Sequence, residues 1–189
     1  MRCEFIAIGT ELLLGQIVNS NAAWLGEQLA LAGIDCVYHV TIGDNRQRMH
    51  DTIQQALDRS DAVIVSGGLG PTQDDITREV IADVMKVGLI RDDEIAERIR
   101  HRFESRGRIM SENNLRQADI PDGGVAIPQM PGTAPGLICP VGEKIIYAVP
   151  GVPFEMKMMV NECVLPDLKQ RSGITSVIKS RVFKTWGQT

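Results

Sequence analysis

The strongest constraint on the fold is residues 61–80, DAVIVSGGLGPTQDDITREV, where an apolar run leads directly into a glycine-rich loop. The run at 62–65 is short, β-branched and bounded by turn residues, which predicts a buried strand of a parallel sheet. A second apolar set recurs at helical spacing: Ile76, Val80, Ile81 and Val84. The loop therefore joins a strand to a helix, where glycines allow positive φ and close approach of a ligand.

The loop between strand and helix is predicted to bind a phosphate. Backbone amides at the start of a helix favour an anion, and the candidate binding residues are Gly67, Gly68, Leu69, Gly70, Pro71 and Thr72. No Gly-Lys-Ser/Thr follows the glycines, which excludes a P-loop. The third glycine of the dinucleotide fingerprint is also missing.

Two carboxylates, Asp74 and Asp75, follow this loop. Carboxylates repel a phosphate unless a cation lies between them, so the pair suggests a divalent metal with oxygen ligands. The alternative is that residues 72–75, Thr-Gln-Asp-Asp, form a helix capping box. Adjacent helical residues point about 100° apart, so one acid would do the chemistry while the other caps.

Length, charge and cysteine spacing limit the classes of protein to which this chain can belong. A chain of 189 residues suits one domain with a sizeable core. The net charge of −4 argues against a nucleic-acid binder. The four cysteines lack metal-binding spacing, and three that lie in apolar runs, Cys3, Cys36 and Cys139, are predicted to be reduced core residues of a cytoplasmic protein. The first apolar stretch, Phe5 to Ile8, is too short for a signal peptide or a membrane span.

The first 85 residues alternate strand and helix three times, with strands predicted at 3–8, 36–41 and 62–65. This alternation predicts an α/β fold with a parallel sheet and helices on both faces. Ligands of such sheets bind outside the carboxyl ends of the strands. The loops carrying Glu11, Asp44 and Asp74/Asp75 all follow strands and should meet at that edge, although each acid could instead cap a helix or turn.

The second half is predicted to hold helices at 92–106 and 110–119 and then a small β-rich part after residue 120. Short strands are expected at 125–128, 137–140 and 145–149, with Gly142-Glu143 turning a hairpin. Two glycine-proline loops follow, at 131–136 and 150–153, the second leading into a helix from Phe154. A last strand is expected at 177–185.

These loops together resemble one family. The pattern Gly-Gly-x-Gly-Pro-x-x-x-Asp-x-Thr at 67–77 and the Pro-Gly-x-Pro loop at 150–153 resemble the MoaB/Mog domain, which binds molybdopterin. Segments 9–21, 66–75 and 150–159 are closer to its branch in the competence/damage-inducible protein CinA. The Mog branch favours threonine where this chain has Leu69, which supports the CinA branch.

The resemblance implies a three-layer α/β/α sandwich with a mostly parallel sheet. It also implies a nucleotide- or pterin-binding domain over residues 1–175, and residues 176–189 would hold a terminal strand and the start of a following domain. By analogy with relatives, a homo-oligomer (dimer or trimer) is expected. No nucleic acid or membrane partner is expected.

The CinA branch implies hydrolysis of ADP-ribose to AMP and ribose 5-phosphate with a divalent metal: Mg, Mn or Co. Asp44, Asp75 and Asp74 would be catalytic, and Asp44, Asp75 and Glu11 would hold the metal. The nucleotide substrate would also contact further residues, which are assigned from the two glycine-proline loops or from their position in the chain: Asn19, Asn21, Gly132, Pro150, Gly151, Pro153 and Lys157. The alternatives are a molybdopterin- or nucleotide-binding module without turnover, and adenylyl transfer from ATP to molybdopterin.

Overall fold

The structure, a computed structural model, describes residues 1–128, 132–173 and 186–187. The predicted alternation holds in the first half, whose elements are β1 (Arg2–Ile8), α1 (Thr10–Leu13), α2 (Ser20–Leu31), β2 (Asp35–Ile42), α3 (Arg46–Arg59), β3 (Ala62–Ser66) and α4 (Thr77–Met85). The second half contains β4 (Leu89–Arg91), α5 (Asp93–Glu104), a 3-10 helix (Glu112–Ala118), β5 (Asp119–Pro121), β6 (Val125–Ala126), β7 (Leu137–Val141), β8 (Lys144–Val149), α6 (Pro153–Met159), a π-helical turn (Val160–Val164) and α7 (Leu165–Ser172).

The central sheet has six strands in the order β2-β1-β3-β8-β7-β6. The first four run parallel, and β7 and β6 extend the sheet antiparallel. The register pairs Ile8 with Ile42, Ala7 with Ser66, and Ser66 with Val149. The carboxyl ends of all four parallel strands therefore lie along one edge.

Alternate side chains of each strand enter two separate apolar cores. Ile6 and Val65 pack in the core that also holds residues of α3, α4 and α5. Phe5 and Ile64 pack in the other core, with residues of α2, α6 and α7. Because strand side chains alternate between faces, these cores lie on opposite sides of the sheet. The predicted three-layer α/β fold with a mostly parallel sheet is confirmed.

Several local predictions need correction. The part after residue 120 is β-rich as predicted, but its strands β6, β7 and β8 belong to the central sheet. The strand expected at 125–128 is only two residues long, and the segment expected as a helix at 110–119 is 3-10. The short antiparallel pair of β4 and β5 was not predicted.

The helix after the glycine loop begins at Thr77, not at the carboxylates. Asp75 accepts the Thr72 amide at 2.9 Å and the Thr72 hydroxyl at 2.5 Å, which closes a turn before the helix. The contact between Thr72 and Asp75 that a capping box predicts is therefore present, but it lies in a turn before the helix and does not cap the helix.

Residues 174–185 and 188–189 lie outside the described ranges, and with them the strand predicted at 177–185 and most of the segment assigned to a following domain. Within the described ranges, no helix is both long and apolar enough to cross a membrane.

Candidate functional site

A cleft of about 560 Å³ opens at the carboxyl edge of the parallel strands. It is lined by residues from the loops after β1, β2, β3 and β8 and from neighbouring segments: Ile8, Gly9, Glu11, Asp44, Gly67, Gly68, Leu69, Gly70, Asp74, Asp75, Gln117, Thr133, Ala134, Pro150, Gly151, Val152 and Glu155. The predicted convergence of Glu11, Asp44, Asp74 and Asp75 at one sheet edge is therefore what the structure shows.

The floor of the cleft requires glycine at two positions. Gly67 and Gly68 have φ of 111° and 66°, values that other residues rarely adopt. A Cβ at Gly67 would lie 2.3 Å from the carbonyl oxygen of Ile8, and one at Gly68 would lie 2.2 Å from Oγ1 of Thr77. The strand and the helix can approach the loop this closely only because these side chains are absent.

The carbonyl groups of the glycine-rich loop accept hydrogen bonds from Thr77, Arg78 and Gln117. The Gly67 carbonyl accepts the Thr77 hydroxyl at 2.8 Å, and the Gly68 carbonyl accepts the Thr77 amide at 3.1 Å. The Leu69 carbonyl accepts the Arg78 guanidinium and, at 3.4 Å, Nε2 of Gln117.

The amides of the same loop are left without acceptors. In the described part of the chain, no protein acceptor bonds the amides of Gly68, Leu69 and Gly70. All three residues line the cleft. With its carbonyls fixed and its amides unpaired, the loop has the arrangement that binds phosphate through backbone N–H groups.

Arg78 was not predicted as a site residue, although it is completely buried beneath the loop. It also donates to the Gly70 carbonyl at 3.4 Å, and its Nε atom has no partner among the described residues. Burial lowers the pKa of Arg78 to about 10, against the opposing effect of the nearby Glu79 and Asp75 carboxylates. The guanidinium still stays charged at neutral pH and holds the loop from inside the protein.

Asp44 and Asp75 are each held by a threonine. One oxygen of Asp44 accepts the Thr10 amide at 3.0 Å and the Thr10 hydroxyl at 2.9 Å, and Thr72 binds one oxygen of Asp75 in the same way. In the described part of the chain, the second oxygen of each carboxylate has no protein donor. These two acids are therefore oriented by the fold and keep one lone-pair-bearing oxygen each for a ligand.

The acids do not form a metal site built from protein alone. Across the described ranges, no three His, Cys, Asp or Glu side chains lie close enough together to hold a metal ion. Glu11, Asp44 and Asp75 line one cleft but lie on three loops, and the two aspartates are turned toward their own threonines. A divalent cation here would need most of its oxygen ligands from a bound molecule and water.

Three cleft carboxylates each lie against a glycine. A Cβ would come within 2.5 Å of the Glu11 carboxylate if added at Gly9, and within 2.4 Å of Asp75 if added at Gly70. A Cβ at Gly132 would come within 2.3 Å of the carboxylate of Glu155, a cleft residue that was not predicted. Gly132 was predicted to contact the ligand, and the structure instead places Glu155 over it.

The remaining predicted residues divide into two groups. Asn19, Asn21, Gly151 and Pro153 line an adjoining cavity of about 140 Å³, which shares Ile8, Glu11 and Gly151 with the cleft. Asn19 caps α2, while Asn21 donates to the Gly151 carbonyl at 2.8 Å and leaves its own buried oxygen unpaired within the described chain.

Lys157, Pro71 and Thr72 are not brought to the cleft wall. The Lys157 ammonium lies 5.4 Å above the ring of Trp24, and Lys157 lines neither cavity. Thr72 holds Asp75 and Pro71 precedes it, and neither lines the cleft.

Known proteins match almost the whole chain. The family model described as a probable molybdopterin binding domain matches residues 4–170. A CinA-like protein of Frankia casuarinae is 48% identical over 192 residues, covering 99% of this chain and 44% of that protein. A CinA-like protein of Nostoc punctiforme is 46% identical, covering 99% of this chain and 45% of its own length. The chain thus spans less than half the length of these curated relatives.

Two solved structures show the same fold. The CinA protein of Thermoplasma acidophilum, described as of unknown function, has 34% identity and a TM-score of 0.80, covering 89% of this chain and 97% of its own. The molybdopterin biosynthesis enzyme MoaB of Thermus thermophilus has 18% identity and a TM-score of 0.61, covering 92% of this chain and 97% of its own.

The prediction of ADP-ribose hydrolysis is wrong. The matching family model describes molybdopterin binding, and the MoaB likeness extends over nearly the whole fold. The chain belongs to the family of the probable molybdopterin binding domain and, within it, to the CinA-like proteins.

Proposed function

We propose that this chain binds molybdopterin, a pterin that carries a terminal phosphate, in the cleft at the carboxyl edge of the sheet. The observation that carries the proposal is the row of three unpaired amides at Gly68, Leu69 and Gly70. The phosphate would accept hydrogen bonds from these amides, as anions do at glycine-rich loops. Because Thr77, Arg78 and Gln117 already fix the loop, little ordering would be needed on binding.

The size of the cleft supports a ligand larger than a phosphate alone. Its volume of about 560 Å³ lies within the range of about 300–1,000 Å³ common for small-molecule sites. The phosphate would occupy the loop and the pterin ring the rest of the cleft.

A divalent cation is proposed to enter with the ligand. Magnesium is commonly held by one or two carboxylates together with phosphate oxygens and waters. Asp44 and Asp75 line the cleft, and each has one oxygen without a protein donor in the described chain; Mg²⁺, Mn²⁺ or Co²⁺ between them and the phosphate would offset their charge. The cation would neutralise the phosphate and is not required to hold the fold.

A second candidate function is adenylyl transfer to the bound pterin, which the adjoining cavity favours. That cavity of about 140 Å³ shares a wall with the cleft and is lined by Asn19, Ser20 and Asn21, so it would take one part of a nucleotide, such as the base or the ribose, beside the pterin. A phosphate oxygen of molybdopterin would bond to the α-phosphorus of ATP, and pyrophosphate would leave. ATP-dependent conversion of bound molybdopterin to its adenylylated form, followed by chromatography, tests this activity separately from binding.

The test of binding is retention of molybdopterin by the purified chain. The protein is incubated anaerobically with molybdopterin, separated by gel filtration, and the retained pterin is oxidised and measured by its fluorescence. Wild-type protein should retain about one pterin per site.

The matched pair of variants is Gly68→Ala and Gly88→Ala. Gly68 needs its positive φ and has no room for a Cβ, whereas Gly88 has neither restriction. Gly68→Ala should lose retention while Gly88→Ala keeps it, with folding of both checked by circular dichroism. Wild-type protein that elutes without pterin would contradict the proposal. The predicted cytoplasmic location and the predicted dimer or trimer remain predictions, and light scattering tests the second.

A further inference from the structure

Gln117 lines the cleft, and its buried side-chain oxygen has no protein partner in the described part of the chain. The side chain is 1% exposed, its Nε2 donates to the Leu69 carbonyl at 3.4 Å, and its Oε1 has no partner in the described part of the chain. A buried amide oxygen without a hydrogen bond lowers the stability of the folded state. The position is explained if a bound ligand supplies an N–H group to this oxygen.

Glu155 presents a second acceptor to the same cleft. It is half-buried in the first turn of α6, and its carboxylate occupies the space that the missing side chain of Gly132 leaves. Burial raises the pKa of Glu155, while the charge of Arg102 opposes this rise. The described lining of the cleft includes no lysine or arginine, so a partner within the cleft would have to come from the ligand.

The buried oxygen of Gln117 lacks a hydrogen-bond donor, and the Glu155 carboxylate can accept further hydrogen bonds, whereas a fully ionised phosphate provides no donors. A fused 2-amino-4-oxopyrimidine ring provides them, because its ring N3–H and its 2-amino group point the same way along one edge. A carboxylate can accept both hydrogens with its two oxygens, in the parallel geometry that makes such pairs strong.

We propose that Glu155 and Gln117 recognise the 2-amino-4-oxopyrimidine edge of the pterin, which deepens the function proposed above and rests on it. Glu155 accepts N3–H and one amino hydrogen, and Oε1 of Gln117 accepts the remaining amino hydrogen. Since Nε2 of Gln117 also holds the Leu69 carbonyl, the same side chain links recognition of the ring to the phosphate-binding loop.

The test compares pterin with lumazine, which carries oxygen in place of the 2-amino group. Each ring is titrated by calorimetry into the protein alone and used to displace retained molybdopterin. A bidentate contact of this kind discriminates by about 1–3 kcal/mol, so wild-type protein should bind pterin at least about fivefold tighter than lumazine.

Two variants and a control locate the effect. Glu155→Gln keeps the shape of the side chain but offers one acceptor oxygen in place of two, and should lose most of the preference for pterin. Gln117→Met should reduce the preference and also weaken retention of molybdopterin. Glu143→Gln, at the hairpin turn between β7 and β8 and not among the residues that line the cleft, should behave as wild type. Thermal unfolding checks that each variant is folded.

The outcomes separate this inference from the proposed function. Equal affinity of wild-type protein for pterin and lumazine, or an unchanged preference in folded Glu155→Gln, would overturn the assignment of the ring edge even if molybdopterin is retained. Loss of molybdopterin retention together with a preference for pterin that depends on Glu155 would overturn the proposed ligand and uphold the ring-recognition site.

Discussion

Replacing Gly70 by alanine should dislodge Asp75 from the turn that it closes. Gly70 is not among the glycines at positive φ, so alanine there causes no backbone strain. Its Cβ would nevertheless lie 2.4 Å from Oδ2, 2.8 Å from Cγ and 3.0 Å from Oδ1 of Asp75. The carboxylate must therefore move, and its two hydrogen bonds from Thr72 are lost with that movement.

The magnitude follows from those two bonds. A hydrogen bond contributes about 0.5–1.5 kcal/mol net, and because Thr72 is exposed the lower half of that range applies to each bond. Loss of these two bonds should therefore lower the free energy of unfolding by about 1–2 kcal/mol. Alanine also raises the free energy of unfolding relative to glycine by about 0.4–1 kcal/mol, because it restricts the conformations of the unfolded chain. Gly88 has open space around it, so Gly88→Ala measures that contribution alone.

A double-mutant cycle isolates the contact. In an Asp75→Ala background the clash is absent, so Gly70→Ala should no longer destabilise the protein, and the coupling free energy should be about 1–2 kcal/mol. Urea denaturation of the four proteins, fitted with a common slope, measures it. If the effects of Gly70→Ala and Asp75→Ala on the free energy of unfolding add within about 0.5 kcal/mol, the contact between a Cβ at position 70 and the Asp75 carboxylate has no energetic effect, and the prediction is refuted.

Three further predictions follow from buried charges and thiols. Arg59→Met should lower the melting temperature by several degrees, because Glu4 is completely buried and Arg59 is its bidentate partner. The double variant Arg59→Met/Glu4→Gln should recover most of that loss in calorimetry. A double variant that melts as low as Arg59→Met would contradict the role of this ion pair. Arg78→Met should weaken molybdopterin retention about tenfold or more by freeing the loop carbonyls, with little loss of stability because a desolvated charge leaves with the hydrogen bonds; unchanged retention would contradict it. Burial raises the pKa of Cys36 to about 11, so iodoacetamide should alkylate it roughly a hundredfold more slowly at pH 8 than an unfolded cysteine. Since the thiol pKa is higher in the folded state, its contribution to stability is present below the unfolded pKa and should fall as pH rises above about 9. Rapid alkylation of the native protein would contradict the raised pKa of this half-buried thiol.

The elements of the fold could be predicted because each carries a local signal. The spacing of Met49, Ile53, Ala56 and Leu57 predicts a helix face, and these are the four buried residues of α3. Gly142-Glu143 predicts a two-residue hairpin, and Val141 pairs with Lys144 across it. The convergence of acids at one edge follows from strand direction alone.

The support beneath the site could not be predicted. Arg78 and Gln117 are types usually found at the surface, and their burial depends on contacts with the carbonyl of Leu69, which lies 9 and 48 residues away in sequence. Asp75 was placed in a helix because an acid three residues after a threonine has the same spacing in a capping box and in the turn seen here. The prediction that a divalent metal binds here stays a prediction; strand direction fixes the shared edge of the carboxylates but not their separation, and the described acids do not form a cluster of three or more.

The sequence left the ligand open between a nucleoside pyrophosphate and molybdopterin. Glycine-rich loops bind phosphate through the backbone, so the same loop suits a nucleoside pyrophosphate and a phosphorylated pterin. The choice between them depends on the rest of the cleft, where Glu155 and Gln117 were not anticipated.

The most direct test of the account is the response of three backbone amides to the ligand. In ¹⁵N–¹H spectra of this 20.8 kDa chain, anaerobic titration with molybdopterin should shift the amide protons of Gly68, Leu69 and Gly70 downfield in a saturable way, because each gains a charge-assisted hydrogen bond. Saturable binding that leaves these three amides unshifted while resonances elsewhere move would contradict the account.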